Sequence, residues 1–393
     1  MSARRPSKAK LSKRLAPESE SSRARSRGTP KSVPGSHRSR ELEATTSPSL
    51  PTSARTAESR RLRPGGLEAP RASGVPSLLR LPVHDDPRHV PAVDILLCGV
   101  PFDGGAVLRS GARFGPRAVR EASAASSAFS SALGVDIFEE LRAADGGDVP
   151  AFPHDQTAAL EAVAERAEAL TRSGVIAAFV GGDQTITLGA LRGIHRAKHK
   201  AVSLLHIDAH SNASGKMGGR ELHAMSVIRH AVEEGLVRPD STLQVGIRGP
   251  FPASDDLAFA FSHGFEVVTV DEVRWDLHAV VSQVRRLVRK GAIYVSVDIA
   301  ALDPAFAPGA GFPVPGGMST WELQQLLRAL VGAEIVGFDV VEITPAHDHA
   351  GLSALAGVTI VQEILAALAD TRRSARPAPS THRALGRPGR RSA

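Results

Sequence analysis

The sequence predicts an α/β protein organised on a parallel β-sheet with helices over both faces. Three observations carry that prediction. Apolar, β-rich runs recur at residues 95–101, 175–182, 202–207, 243–247, 266–270, 292–299 and 335–343. Several are almost continuously apolar, as strands buried on both faces are. Helix-like stretches separate them, and that alternation is the pattern of crossover-linked parallel strands. Polar and charged residues then gather where the runs end, and in such sheets ligands bind at the carboxyl ends of the strands.

Taken in order, residues 157–171 carry Ala, Leu and Val three and four apart, the spacing of a helix that buries one stripe. Residues 188–198, 225–235, 277–289 and 320–331 read similarly. Ser319 or Thr320 can cap the last, with Glu322 and Leu323 close behind. Four strand ends bear chemistry. Asp183 and Gln184 follow Gly181-Gly182. Asp208, His210 and Asn212 close the next run. Asp298 and Ala300 close a later one, with Asp303-Pro304 beyond. Asp339 and Glu342 close the last. Asp208 and His210 alternate across Ala209, so on a strand both side chains share a face. A carboxylate and an imidazole aimed at one point suit a divalent ion such as Mn²⁺ or Zn²⁺. A single strand-end acid has a plainer reading as a cap or turn, and that reading holds for Asp303. Four together argue for a shared site.

Composition narrows the alternatives. One cysteine, Cys98, excludes an internal disulfide framework and a thiolate-built zinc site, and its apolar surroundings read as core. The net charge of +7 is an average of unlike parts. Residues 1–72 hold 17 Lys and Arg against 6 acids, and 372–393 hold 7 Arg and no acid. The intervening 73–371 hold 24 bases and 35 acids. The expected organisation is a basic Ser/Arg/Pro-rich disordered tail over 1–78, an α/β domain over 79–371, and an Arg-rich tail over 372–393. Weak contact with a polyanion is expected of the tails only. No secretory signal and no membrane span are read from the sequence, so a cytoplasmic protein with no membrane partner is expected.

Longer motifs carry a family resemblance. They are Gly99-Val100-Pro101-Phe102-Asp103-Gly104-Gly105, Arg109-Ser110-Gly111-Ala112-Arg113-Phe114-Gly115-Pro116, and Asp145-Gly146-Gly147-Asp148. Further along come His230-Ala231-Val232-Glu233-Glu234-Gly235-Leu236, Gln244-Val245-Gly246-Ile247-Arg248-Gly249, and the loop from Pro308 to Gly317. Over about residues 94–365 the chain resembles the ureohydrolases, the arginase, agmatinase and formimidoylglutamase group, and is most agmatinase-like. The resemblance implies a three-layer sandwich around a parallel sheet of about eight strands. It also implies a hydrolase of a linear C–N bond in a small guanidino, amidino or amide substrate, and a homo-oligomer, trimer or hexamer. In that family two Mn²⁺ ions activate a hydroxide.

The resemblance also exposes departures. Gln184 stands where the family has a His ligand, and Asn212 and Ala300 stand where it has Asp. Three of the six expected ligands are replaced. Asp208, His210 and Asp298 remain, a set that resembles the ligands of the single zinc in histone deacetylases. Two carboxylates balance one divalent ion and leave a second under-compensated. One Mn²⁺ or Zn²⁺ is therefore expected, and two Mn²⁺ are not. The family pattern gives His223 as a proton relay and Glu342 as the group facing the guanidinium. Glu342 needs a cationic partner, which a substrate or Arg248 could supply. Phe312 replaces a small polar residue and is expected to reshape the entrance. The alternative reading is a catalytically inactive homologue serving as a binding or regulatory subunit.

Overall fold

The computed structural model describes residues 70–376 apart from 72, 87 and 250–254. The expectations for the basic tails fall outside the described residues for all but their inner ends. At those ends the packed body reaches further than 79–371. Leu78 is 1% exposed and its amide donates to the Asp145 carboxylate at 2.8 Å, and the last helix runs to Ala375.

Among the described residues the strands are β1 (Ile95–Gly99), β2 (Phe129–Ser130), β3 (Val135–Asp136), β4 (Ala143–Asp148), β5 (Ile176–Val180), β6 (Val202–Ile207), β7 (Val237–Ile247), β8 (Glu266–Thr269), β9 (Ile293–Asp298) and β10 (Ile335–Val341). Eight form one sheet in the order β4-β1-β5-β10-β9-β6-β7-β8, every pairing parallel. The short β2–β3 pair is a separate antiparallel hairpin. The helices are α1 (Gly115–Ala122), α2 (Ile137–Glu140), α3 (Gln156–Arg172), α4 (Ile186–Lys198), α5 (Val227–Glu233), α6 (Asp255–Ser262), α7 (Val270–Trp275), α8 (Leu277–Val288), α9 (Thr320–Arg328) and α10 (Leu352–Ala375).

The layers follow from the period of two along each strand. Leu205, Val295 and Val340 join a core with Val284 of α8, Leu326 of α9 and Ile364 of α10. Their strand neighbours Leu204 and Tyr294 join a second core with Val163 of α3, Leu191 of α4 and Ile228 of α5. Both faces of the sheet are thus covered, giving the expected three-layer sandwich. Cys98 is 1% exposed in the second core. Ser319, not Thr320, caps α9, in a reciprocal box with Glu322.

The sequence reading does not name β2, β3, α1, α2, α6 or α7, and two further elements show why periodicity misses some. The strand β4 is Ala-Ala-Asp-Gly-Gly-Asp and has no β-branched residue. Pairing with β1 holds it at the sheet edge, so local propensity gave no sign of it. The 24-residue α10 escaped the periodic pattern because it is apolar on most sides. By length and composition alone, the stretch 349–375 that contains it is long and apolar enough to cross a membrane. In the fold it is a core helix: 72% of its most apolar 18-residue window is buried inside the protein, and it packs against β10 and α9 among others.

Candidate active site

The chemistry-bearing residues meet because four adjacent strands end together. In the sheet, β5, β10, β9 and β6 are consecutive neighbours at the centre. Val180 pairs with Val340, Val341 with Asp298, and Val297 with Ile207. The residues that follow therefore emerge at one level: Gln184 after β5, Glu342 after β10, Asp298 at the end of β9, and Asp208 to Asn212 after β6. Asn212 and Glu342 adopt positive φ, 49° and 65°, which side-chain-bearing residues adopt only when their surroundings enforce it.

Asp208 is fully buried and heavily partnered. Its Oδ2 accepts from the Asn212 amide at 2.6 Å, and Oδ1 accepts from the His210 backbone N–H at 3.1 Å. The His210 Nδ1 and the His206 Nε2 each lie 3.4 Å from one of its oxygens. Burial pushes the Asp208 carboxyl up, but hydrogen bonds from His206 and His210 outweigh it and hold the group below the usual carboxylate range. Gln244 donates to the His206 Nδ1 at 3.1 Å, which leaves the Nε2 as the protonated nitrogen facing Asp208.

The other carboxylates are less well served. Asp298 accepts from the Ala300 N–H at 2.7 Å, so it does cap the strand end. Burial, then the charges of Asp208 and Glu342, push it well above its ordinary value. Glu342 accepts from the Gln184 N–H at 3.0 Å, and burial followed by the charge of Asp183 pushes it well up too. Burial likewise raises Asp183 to about 6, although Thr185 and Gly105 both donate to it. Among the described residues no cationic side chain bonds Asp298 or Glu342. Arg248 is spent elsewhere, donating to the carbonyls of Ala300 and Val314 at 2.7 and 2.6 Å, so it is not the partner of Glu342. Gly311 lies against that glutamate so closely that a Cβ there would collide with the Glu342 Oε2.

The replaced positions have acquired other bonds. The Gln184 Nε2 donates to Thr187 and Ser296, both at 2.9 Å. Ser296 and the Tyr294 hydroxyl in turn donate to Asp339, each at 2.7 Å. The Gln184 Oε1 and the His210 Nε2 are buried with no hydrogen-bond partner among the described residues. His223 is buried next to the site, and its Nε2 donates to the Gly215 carbonyl at 3.0 Å. Its chain neighbours Ala224 and Met225 line the central cavity, and His223 does not.

That cavity is about 20 Å³, with Gln184, His210, Asn212, Asp298, Phe312 and Glu342 among its walls. Phe312, the residue expected to reshape the entrance, lines this cavity, its ring 4.7 Å from the His210 ring, centroid to centroid. The donor chemistry tests which ions fit. Asp208, His210 and Asp298 offer the oxygen and imidazole donors that one Mn²⁺ or Zn²⁺ takes. No three His, Cys, Asp or Glu side chains among the described residues converge as a preformed ion cage. At the replaced positions Asn212 and Gln184 offer neutral amide oxygens, weaker donors than carboxylates for such ions, and Ala300 offers no side-chain donor.

His206 and Gln244 escaped the sequence reading. The period-two argument that joins Asp208 to His210 extends back to His206, and that signal was available. Gln244 gave none, since its role depends on the β6–β7 pairing that sets it opposite His206.

Comparison with known proteins agrees with the fold. The Arginase family model matches residues 93–367. Proclavaminate amidinohydrolase of Streptomyces clavuligerus is 36% identical over 298 residues, 76% of this chain and 94% of that protein. Guanidinopropionase of Pseudomonas aeruginosa is 39% identical over 306 residues, 77% of this chain and 95% of that protein. The solved structure of the Streptomyces clavuligerus amidinohydrolase superposes with a TM-score of 0.73 at 34% identity, covering 77% of this chain and all of that one.

Proposed function

The chain belongs to the arginase family, and from that premise we propose that it hydrolyses the C–N bond of a small guanidino compound using no more than one divalent ion. The observation that carries the proposal is the pair Asp298 and Glu342. Two buried carboxylates sit at adjacent strand ends, and among the described residues no cationic side chain bonds either. Such a site demands a cation. A guanidinium supplies one and matches a carboxylate in shape and hydrogen bonding. The names of the relatives, an amidinohydrolase and a guanidinopropionase, support the same substrate class.

In the reaction, water adds to the guanidinium carbon and the C–N bond breaks. The water oxygen becomes the carbonyl of urea, and the departing nitrogen takes up both water protons and leaves as an ammonium. Glu342 binds and orients the guanidinium. Gly311 keeps Glu342 in place by leaving room for its Oε2. Phe312 excludes bulk water. Asp208, His210 and Asp298 would hold the ion, which when bound lowers the pKa of water and polarises the reacting group. His206 and Gln244 orient Asp208 through the hydrogen bonds given above, as outer partners of metal ligands do. A homo-oligomer, trimer or hexamer, and a cytoplasmic location remain part of the proposal. Light scattering and cell fractionation test them.

One observation favours a second reading. The Asn212 amide donates to Asp208 where a cation would otherwise compensate the carboxylate. A cleft satisfied in that way suits a silent member that binds a guanidino compound and regulates a partner. Urea release separates the two. Incubation with guanidino compounds and Mn²⁺ or Zn²⁺ should yield urea, and Asp298→Ala should abolish it. Binding without any urea would establish the silent reading, and failure of every guanidino compound to bind would remove both.

A further inference from the structure

The Gln184 side chain is fully buried in the wall of the central cavity, and its Oε1 has no hydrogen-bond partner among the described residues. The other end of the amide is fixed. Its Nε2 donates to the hydroxyls of Thr187 and Ser296, both at 2.9 Å. The protons of those hydroxyls are already committed. Ser296 donates to the Asp339 Oδ1 at 2.7 Å, and Thr187 donates to the same carboxylate. A hydroxyl in that state can only accept, so the amide must turn its nitrogen, and not its oxygen, toward the pair. Neither Thr187 nor Ser296 lines the cavity. The network therefore holds the Gln184 nitrogen away from the cavity and leaves its oxygen as a buried acceptor that calls for an N–H.

Two carboxylates share the wall with it, Asp298 and Glu342. Each has one oxygen anchored by a backbone amide. The Asp298 Oδ1 accepts from Ala300, and the Glu342 Oε1 accepts from the main chain of Gln184 itself at 3.0 Å. Gln184 thus holds the glutamate beside its own side chain, and the Glu342 Oε2 occupies the room that Gly311 leaves. Three acceptor-bearing side chains therefore border one space of about 20 Å³, room for about one water. An unsubstituted amino group is of that size. Among the cavity's walls the partly exposed residues are Val107, Leu108 and Phe312, and the others are buried. A ligand reaches the acceptors from that apolar side, amino end first.

We propose that Gln184 is a specificity residue whose amide oxygen takes an N–H from the innermost amino group of the bound guanidinium. The inference rests on the guanidino reading of the cleft. A guanidinium spreads one charge over several N–H groups, so a single amino end meets a charged acceptor in Glu342 and a neutral one in Gln184. Gln184 stands where the resemblance expects a metal-ligating histidine, and the replacement exchanges an ion ligand for a substrate ligand. The amide is a weak donor to Mn²⁺ or Zn²⁺ and a good acceptor for N–H, which is the direction of that exchange. A terminal nitrogen that carries a methyl group has no room beside the three acceptors. The cleft therefore selects guanidines with an unsubstituted amino end.

The test is calorimetric titration of the full-length protein, with one equivalent of Mn²⁺. The probes are propylguanidinium chloride, its neutral isostere propylurea, and a propylguanidinium methylated on both terminal nitrogens. Native protein should bind propylguanidinium about tenfold or more tightly than either of the others. Gln184→Met removes the acceptor and should weaken propylguanidinium by about ten- to a hundredfold. Gln184→Glu keeps an oxygen at that place. Its buried carboxyl, held protonated by its acidic neighbours, donates to Thr187 or Ser296 as the amide does. Its affinity should stay within about threefold of native. Gln184→Met binding as tightly as native, equal losses in the two variants, or tight binding of the methylated probe to native protein would each overturn the role of Gln184 and leave the guanidino reading intact. Propylguanidinium that binds no tighter than propylurea, or not at all, would remove the guanidino reading and this role with it.

Discussion

Asn212→Asp should convert a metal-independent contact into a metal-dependent one. In the native cleft the Asn212 amide donates to the Asp208 Oδ2 at 2.6 Å. A hydrogen bond to a charged group is worth about 1.5–3 kcal/mol net, and the substitution removes it. It also sets a second carboxylate against the first. At that separation and an effective dielectric of about 20, two full charges repel by about 6 kcal/mol. The new carboxyl escapes by holding a proton, which at pH 7 costs about 4 kcal/mol for a group of ordinary pKa near 4. The protonated carboxyl donates to Asp208 in place of the lost amide, so the net loss without metal should be about 4 kcal/mol, a fall in Tm of roughly 5–10 °C for a domain of this size. The folded-state pKa of the new group is raised. Stability is therefore retained below the unfolded pKa and lost as pH rises through the folded one. A melting series in EDTA from pH 5 to 8 should show the deficit growing with pH, and Mn²⁺ should recover most of it at pH 7. A variant that melts with the native protein in EDTA at pH 7 would refute the idea that this amide compensates Asp208.

Other expectations follow from the same geometry. Gly311→Ala sets a methyl where the Glu342 Oε2 lies, so it should weaken guanidino binding by about tenfold or more while circular dichroism stays native. Asp339 is buried and raised by that burial to about 6 from 3.8, despite donors from Tyr294, Ser296 and Thr187. A raised acid contributes stability that is full below the unfolded pKa and fades as pH rises through about 6. Native stability should thus fall by about 2 kcal/mol between pH 4 and 7 through this group, and urea titrations of Asp339→Asn should lack that slope.

Most of the fold was legible because burial on both faces writes a parallel strand as an apolar run. The site was legible for a related reason: a strand that turns into a loop exposes whichever side chains follow the apolar run. Asp183, Asp208, Asp298 and Glu342 stand out against Val, Ile and Leu. What stayed hidden depends on partners distant in sequence. β4 exists through its pairing with β1, and Gln244 matters through its register opposite His206. The reach of Arg248 was ambiguous in the chain, since only the folded loop brings the Ala300 and Val314 carbonyls to its guanidinium. The substitutions at 184, 212 and 300 could be seen in the sequence. What they do could not, because a glutamine that bonds Ser296 and an asparagine that bonds Asp208 are statements about orientation.

The central claim is that the cleft has lost one ion position and kept, at most, the other. Metal analysis by plasma mass spectrometry on full-length protein, saturated with Mn²⁺ or Zn²⁺ and freed of excess ion, tests it directly. The account predicts no more than one tightly held ion per chain, lost in Asp208→Ala. Two ions per chain in the native protein would contradict it.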